Sequence, residues 1–323
     1  MFRGNFFTAL ATVAALTTMP LDALAQSSGP MTLLVGYSAG GSADYAARVV
    51  ASELSKKLGR SVIVENATGG SGMIALQKLV NGKADGATLY YGGHDTVAVP
   101  MLNKSVGIDW KEATLPVGRT ALTSMAIAVP SDSPYKTLAD LVAAAKASPE
   151  SVTYGTPGIG TAQHFVGEMI SHRAGVKLLH APYRGGAQVS NDILAGLLNS
   201  AVFTTSTALP FVKEGKVRVL AVTSAERSAA LPEVPALTEI EGFNGLALPL
   251  WQGIFVKAGT DTAAAKAISD AIAASLENED VKKRLADGGF VASPLPMGDF
   301  TGFIEKQAEV YGQIVQDSAI SIE

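Results

Sequence analysis

Residues 151–186 read SVTYGTPGIGTAQHFVGEMISHRAGVKLLHAPYRGG, and they repeat a plan already present at residues 32–66. In the earlier copy LLVGY reads as a strand and YSAGGS as a glycine loop. Ala43–Leu58 then reads as a helix, with apolar residues at Ala46, Val50, Leu54 and Leu58. Gly59 stands where a left-handed residue closes a helix, and SVIVEN is the next strand. In the later copy the same order of strand, glycine loop, helix, Gly175 and strand returns. The likeness is one of pattern, not of identity. One such unit is common in α/β proteins; two copies far apart predict two similar domains, each contributing one loop.

The intervening chain fits this reading. GGSGMIALQKLVNG is a further glycine loop opening a helix, and GATLYYGG is a strand. AIAVPSDSPYKTLADLVAAAKASPE gives strand, proline-marked turn and helix, while VRVLAVTS and LWQGIFVKAGT are two more strands. Two helical patterns, about 262–286 and 298–317, end the chain. The expected fold class is therefore α/β, as two lobes joined by a two-crossover hinge. Residues 26–129 and 249–323 form lobe 1, residues 130–248 form lobe 2, and the ligand cleft lies between them.

Composition limits the functions available. Of 323 residues 47% are hydrophobic and 17% charged, enough for a sizeable core. With 25 basic against 29 acidic residues and no basic runs, a nucleic-acid partner is not expected. Arg3, an apolar stretch from Phe6 to Leu16, Pro20 and the A-x-A site at Ala23–Leu24–Ala25 read as a signal peptide over residues 1–25. That stretch is short for a membrane span, and no later segment is long and apolar enough to be one. A soluble, exported chain with no membrane insertion after signal removal is expected. Zero cysteines are compatible with a periplasm without proving one.

Gly40–Gly41–Ser42 and Gly158–Ile159–Gly160–Thr161 each turn the chain into a helix start, with Ser42 and Thr161 as expected N-caps. Unsatisfied N–H groups and the helix dipole make such starts anion sites. Phosphate fits poorly, because neither G-x-x-x-x-G-K-[ST] nor G-x-G-x-x-G is present. Nucleophilic catalysis by Ser42 or Ser71 fits poorly too, because G-x-S-x-G is absent. A carboxylate fits better, being small, planar and singly charged. Four charge-assisted bonds at roughly 1.5–3 kcal/mol each give about 6–12 kcal/mol gross, whereas micromolar binding needs about 8 net. Closure of the lobes over the rest of the ligand must supply the difference.

These loops also carry a resemblance. YSAGGSADYAARVVASELSKKLGRSVIVENATGGSGMIA resembles the start of the Bug family, receptors of tripartite tricarboxylate transporters. DGATLYYG, YGTPGIGTAQH, HAPYRGGA, LAVTSAERSAALPEVPALTE and WQGIFVKAGT extend it in order to the end of the chain. The resemblance implies a type II periplasmic-binding-protein fold that closes on a carboxylated metabolite, with no cofactor and no metal. It implies delivery to membrane transporter subunits, or presentation to a sensory receptor, by a monomer. It implies a carboxylate anchor carried by Tyr37, Ser38, Ala39, Gly40, Gly41, Ser42 and Asp44, and by Thr156, Gly158, Ile159, Gly160 and Thr161.

Other residues carry weaker readings. Asp44 and Arg48 form either a surface i,i+4 pair or a brace for the loop. His164, Glu168 and His172 share a helix face, but span about 12 Å at 1.5 Å per residue, too far for one ion. His164 either packs near the second loop or touches ligand. His94 and Asp95, at the end of a strand, are candidates for specificity. Phe203 and Thr204 follow another strand; many relatives show an acidic residue near Phe203, so an apolar distal end is one reading and a core phenylalanine the other. Arg184 either meets a second carboxylate or orders its own loop, and Trp251 is expected at the hinge return. A periplasmic hydrolase remains the competing enzyme class.

Overall fold

A computed structural model describes residues 29–183 and 185–318, so the expected signal peptide and Arg184 lie outside the described residues. The chain begins β1 (Met31–Val35), α1 (Ser42–Leu58), β2 (Val62–Asn66), α2 (Met73–Val80), β3 (Thr88–Gly93), α3 (His94–Leu102), α4 (Trp110–Ala113) and β4 (Thr114–Thr123). It continues through β5 (Met125–Pro130), α5 (Leu138–Ala147), β6 (Thr153–Thr156), α6 (Ala162–Ala174), β7 (Leu179–Pro182), α7 (Gly186–Leu194), β8 (Ser200–Thr204), α8 (Thr205–Lys213) and β9 (Val217–Val222). It returns by β10 (Leu250–Lys257), α9 (Thr262–Leu276), α10 (Glu279–Asp287), β11 (Val291–Pro296) and α11 (Met297–Ser318).

Two sheets result, in the orders β11-β4-β10-β3-β1-β2 and β7-β6-β8-β5-β9. In each, a parallel trio carries the repeated unit: β1 lies between β2 and β3, and β6 between β7 and β8. The long return strand β10 runs antiparallel to both β3 and β4. Apolar side chains from β1 and β3 alternate between two layers, Leu33 and Leu89 facing α1 and α9 while Leu34 and Tyr90 face the other core.

The chain passes between sheets at Ser124, directly between β4 and β5, and not near residue 130. Met125 pairs with Thr204 of the second sheet, so all of β5 belongs to lobe 2. The return lies beside it: Leu248 N–H donates to Thr223 O, and two residues on Leu250 pairs with Thr123. Both crossings are hydroxyl-rich. Ser124 Oγ accepts from the N–H groups of Thr223 and Ser224 at 3.2 and 3.1 Å, and Thr223 Oγ1 donates to Leu248 O at 3.0 Å. Away from the hinge the lobes also meet where α6 lies against α11 and α3: Phe165 stacks edge-on against His94 at 4.5 Å and Tyr311 at 5.8 Å.

Candidate functional site

The parallel strands β1, β3, β6 and β8 all end at one cleft between the lobes, of about 1310 Å³. The two glycine turns enter it as conformational equivalents. Gly40 and Gly160 both have φ +79°, a region open to glycine and costly for other residues. The next residues, Gly41 (φ −74°, ψ 167°) and Thr161 (φ −73°, ψ 158°), are the N-caps of α1 and α6. Each helix closes on a left-handed glycine, Gly59 or Gly175, as the repeated pattern predicts.

Each turn is braced from inside its own helix by a side chain four residues on. Gly40 N–H donates to Asp44 Oδ2 at 2.9 Å, and Gly160 N–H donates to His164 Nδ1 at 3.1 Å. These two N–H groups are therefore spent within the protein. The helix starts proper are not. Among the described residues the N–H groups of Ser42, Ala43, Ala162 and Gln163 meet no acceptor, and all four residues line the cleft. They are the donors that an anion in the cleft would find.

Asp44 is buried, not a surface partner of Arg48. Its carboxylate takes Arg48 Nη2 at 2.9 Å, Asn66 Nδ2 at 2.8 Å and the Gly40 N–H, while Asn66 Nδ2 also donates to Tyr37 O. Burial pushes Asp44 up, but the hydrogen bonds from Arg48, Gly40 and Asn66 together hold its carboxyl below the usual range. The expectation of Ser42 as N-cap is not met: Gly41, which has no side chain, occupies that position and Ser42 is the first helical residue, so no side-chain cap forms. In the second turn the expected cap is present, with His164 N–H donating to Thr161 Oγ1 at 3.4 Å.

Behind the second turn lies a group of polar rings. His164 stacks on His180 at 4.0 Å, His180 Nε2 meets Thr156 Oγ1 at 2.7 Å, and Tyr154 OH donates to Glu168 Oε1 at 2.5 Å. Because His164 Nδ1 accepts from Gly160, its proton sits on Nε2, which faces Glu168 at 3.8 Å. Thr156, Gly160, Asp44 and His164, expected with the anchor or specificity residues, stand behind the turns and do not line the cleft. The cleft itself is lined by Tyr37, Ser38, Ala39, Gly40, Gly41, Ser42, Gly158, Ile159 and Thr161, with His94, Asp95, Phe203 and Thr204 among the remaining walls. Phe203 is 2% exposed, packs in the lobe 2 core and presents part of its surface to the cleft.

Sequence reasoning missed a third wall. After β2 the chain makes a glycine-rich turn in which Ser71 is itself left-handed (φ 51°), and Ser71 Oγ donates across the cleft to Ile159 O at 3.2 Å. Gln252, Tyr183, Ser190 and Thr207 also line the cleft. GGSG was a visible signal for the turn, but its reach to the opposite lobe was not. At the end of β3, His94 is 1% exposed with neither ring nitrogen hydrogen-bonded. Asp95 Oδ2 accepts from Tyr90 OH at 3.5 Å, and the Tyr37 phenol lies against the same carboxylate.

These burials set a pH dependence. Burial pushes His94 and His164 down to about 3, His164 also feeling His180, and pushes His180 down to about 4. A free imidazole titrates near ~6.5, so below that pH the unfolded chain takes up protons first. The stability these histidines contribute is therefore lost as pH falls from ~6.5 towards their folded values. Asp95 acts oppositely, since burial lifts its carboxyl to about 6 and the folded form is the one that holds its proton around pH 5. Three protons against one leave about two taken up on unfolding near pH 5, or up to roughly 2–3 kcal/mol per pH unit. The unfolding midpoint followed by calorimetry is expected to fall steadily from pH 6.5 to 4.5. A flat profile over that window contradicts the assignment of three buried neutral histidines.

Known proteins share this architecture. The profile of the family described as "Tripartite tricarboxylate transporter family receptor" matches residues 46–320. A UPF0065 protein of Cupriavidus necator is 34% identical over 284 residues, covering 86% of this chain and 85% of that protein. The protein BugT of Bordetella pertussis is 25% identical over 320 residues, covering 98% and 97%. Among solved structures, the periplasmic binding protein BugD superposes with a TM-score of 0.83 at 25% identity, covering 92% of this chain and 100% of its own. An R. palustris protein solved with adipate gives 0.85 at 25% identity, covering 92% and 99%. The two-lobed α/β fold is the one these binding proteins have.

Proposed function

The chain belongs to the tripartite tricarboxylate transporter receptor family, and from that premise we propose that it captures a small organic carboxylate between its lobes and delivers it to a membrane transporter. Export to the periplasm follows from the N-terminal signal pattern of the sequence; among the described residues no helix is long and apolar enough to cross a membrane. The observation that carries the reading is the pair of equivalent turns, Gly40–Gly41 and Gly160–Thr161, each opening a helix start into one cleft. Four N–H groups on two helix dipoles suit a single negative charge without any side-chain cation. The adipate held by the R. palustris relative is consistent with such an anchor.

Binding without chemistry is the reading the serines support. The Ser71 hydroxyl is spent on the Ile159 carbonyl, and the imidazole nearest the second turn is occupied by Gly160. A ligand favouring the closed form shifts the open–closed balance by its difference in affinity for the two forms, and the closed form is what a transporter subunit would recognise. The test is a thermal-shift screen of the mature chain over mono-, di-, tri- and aromatic carboxylates. At a hundredfold excess over Kd a true ligand is expected to add about 2.7 kcal/mol of stability. Silence across the whole screen, with turnover of a chromogenic ester, would establish the hydrolase instead.

A further inference from the structure

At the end of β3 the cleft holds a carboxylate that the rest of the protein does not neutralise. Asp95 lines the cleft and is 6% exposed. Its surroundings are neutral: the phenols of Tyr37 on the first loop and Tyr90 on β3, that of Tyr311 on α11, and its own and the Thr96 backbone N–H groups. From the third turn it is touched by backbone alone, because a Cβ on Gly72 would fall 2.4 Å from Asp95 Oδ2. Among the described residues lining the cleft there is no lysine or arginine. Asparagine would keep the tyrosine hydrogen bonds without the cost of a buried charge.

A second observation points the same way. His94, which opens α3, and Gln252, on β10 beside the end of β3, both line the cleft; Gln252 Oε1 is buried and unpartnered, and the buried His94 ring has only the Gly160 backbone beside its nitrogens. A neutral imidazole that turns its N–H to the Gly160 backbone carbonyl leaves one acceptor nitrogen, and an amide Oε1 is an acceptor. The wall therefore presents a carboxylate and two idle acceptors. An ammonium group carries three donors and no acceptor, whereas a second carboxylate brings only acceptors. We propose that the cleft takes a zwitterion, an amino acid or ω-amino acid whose carboxylate sits at the paired turns and whose ammonium sits at Asp95. The proposal rests on the anchoring reading above and adds the chemistry of the far end.

The test is titration calorimetry on the mature chain with length-matched series: glycine, β-alanine, 4-aminobutyrate, 5-aminovalerate and the common L-amino acids, each beside its deaminated acid and the dicarboxylate of equal length. The tightest ligand is expected to carry an ammonium, with its deaminated counterpart at least tenfold weaker. Asp95→Asn is expected to reduce that difference below threefold, chiefly by weakening the amino acid. The wild-type series decides by itself should the variant fold poorly. A dicarboxylate binding tightest, and losing affinity on Arg184→Ala, would overturn the proposal, as would undiminished selectivity in Asp95→Asn. Failure of the anchor looks different: an alkylamine without a carboxylate would then bind as tightly as the amino acid and be insensitive to Gly41→Leu, which overturns the anchor and the zwitterion together.

Discussion

Replacing Gly41 with leucine is expected to weaken ligand binding at least a hundredfold while the unfolding midpoint stays within a few degrees of wild type. Gly41 has an extended conformation open to any residue, and the nearest atom to an added Cβ is Ser38 O at 3.1 Å. The backbone can therefore accommodate the change with a small shift. What it cannot keep is the opening, because Gly41 lines the cleft and immediately precedes the donor N–H groups of Ser42 and Ala43. A leucine side chain there competes with the ligand for the α1 helix start. Loss of two charge-assisted bonds, at roughly 1.5–3 kcal/mol each, corresponds to about two to four decades in Kd. Calorimetric titration with the best carboxylate of the screen reads the effect directly. Unchanged affinity would mean that the ligand is held elsewhere.

Gly36→Ala is expected to do the reverse, lowering stability first and binding as a result. Gly36 ends the run that enters the first turn, and its Cβ would lie 2.4 Å from Gly72 Cα and 3.1 Å from Gly72 O. Both atoms are backbone, so neither can rotate away. Gly72 in turn rests on the Asp95 carboxylate, leaving no room to retreat. The third turn must move outward as a unit, taking the Ser71 hydroxyl from Ile159. Overpacking of this kind costs about 1–3 kcal/mol and occasionally more, which for a chain of this size means a midpoint lower by roughly 2–5 °C. Gly40→Ala is the control. It meets nothing within 4 Å, so only its left-handed φ is penalised, at about 1–2 kcal/mol. Equal midpoints for the two variants would show that the Gly36–Gly72 contact is soft.

The repeated unit was legible because its parts are local. A positive φ selects glycine at positions 40, 59, 160 and 175, and the helices between them carry a regular apolar period. What escaped depended on distant partners. β11 is a half-exposed edge strand, VASPLP, with little apolar alternation, and the long β4 contains Pro116 and Gly118, which read as punctuation. The two-unit pattern alone puts the lobe boundary near residue 130, at the turn after AIAVP. The true crossing, Ser124, has no compositional mark at all. Asp44 was ambiguous because Arg48 is visible four residues away, while Asn66 reaches it from a neighbouring strand. His180 drew no notice, since only the pairing of β6 with β7 sets it beside Tyr154 and His164.

The hydroxyls at the interlobe crossings have a mechanical consequence. Thr123, Ser124, Thr205, Thr223 and Ser224 hold the joint through bonds among themselves and to nearby backbone. A hydroxyl can swivel about one torsion and exchange acceptors without unpacking anything. At the crossings themselves, swinging the halves apart requires only a series of small partner exchanges. The pivot thus yields easily, and what resists separation of the halves is the buried packing of Phe165 against His94 and Tyr311.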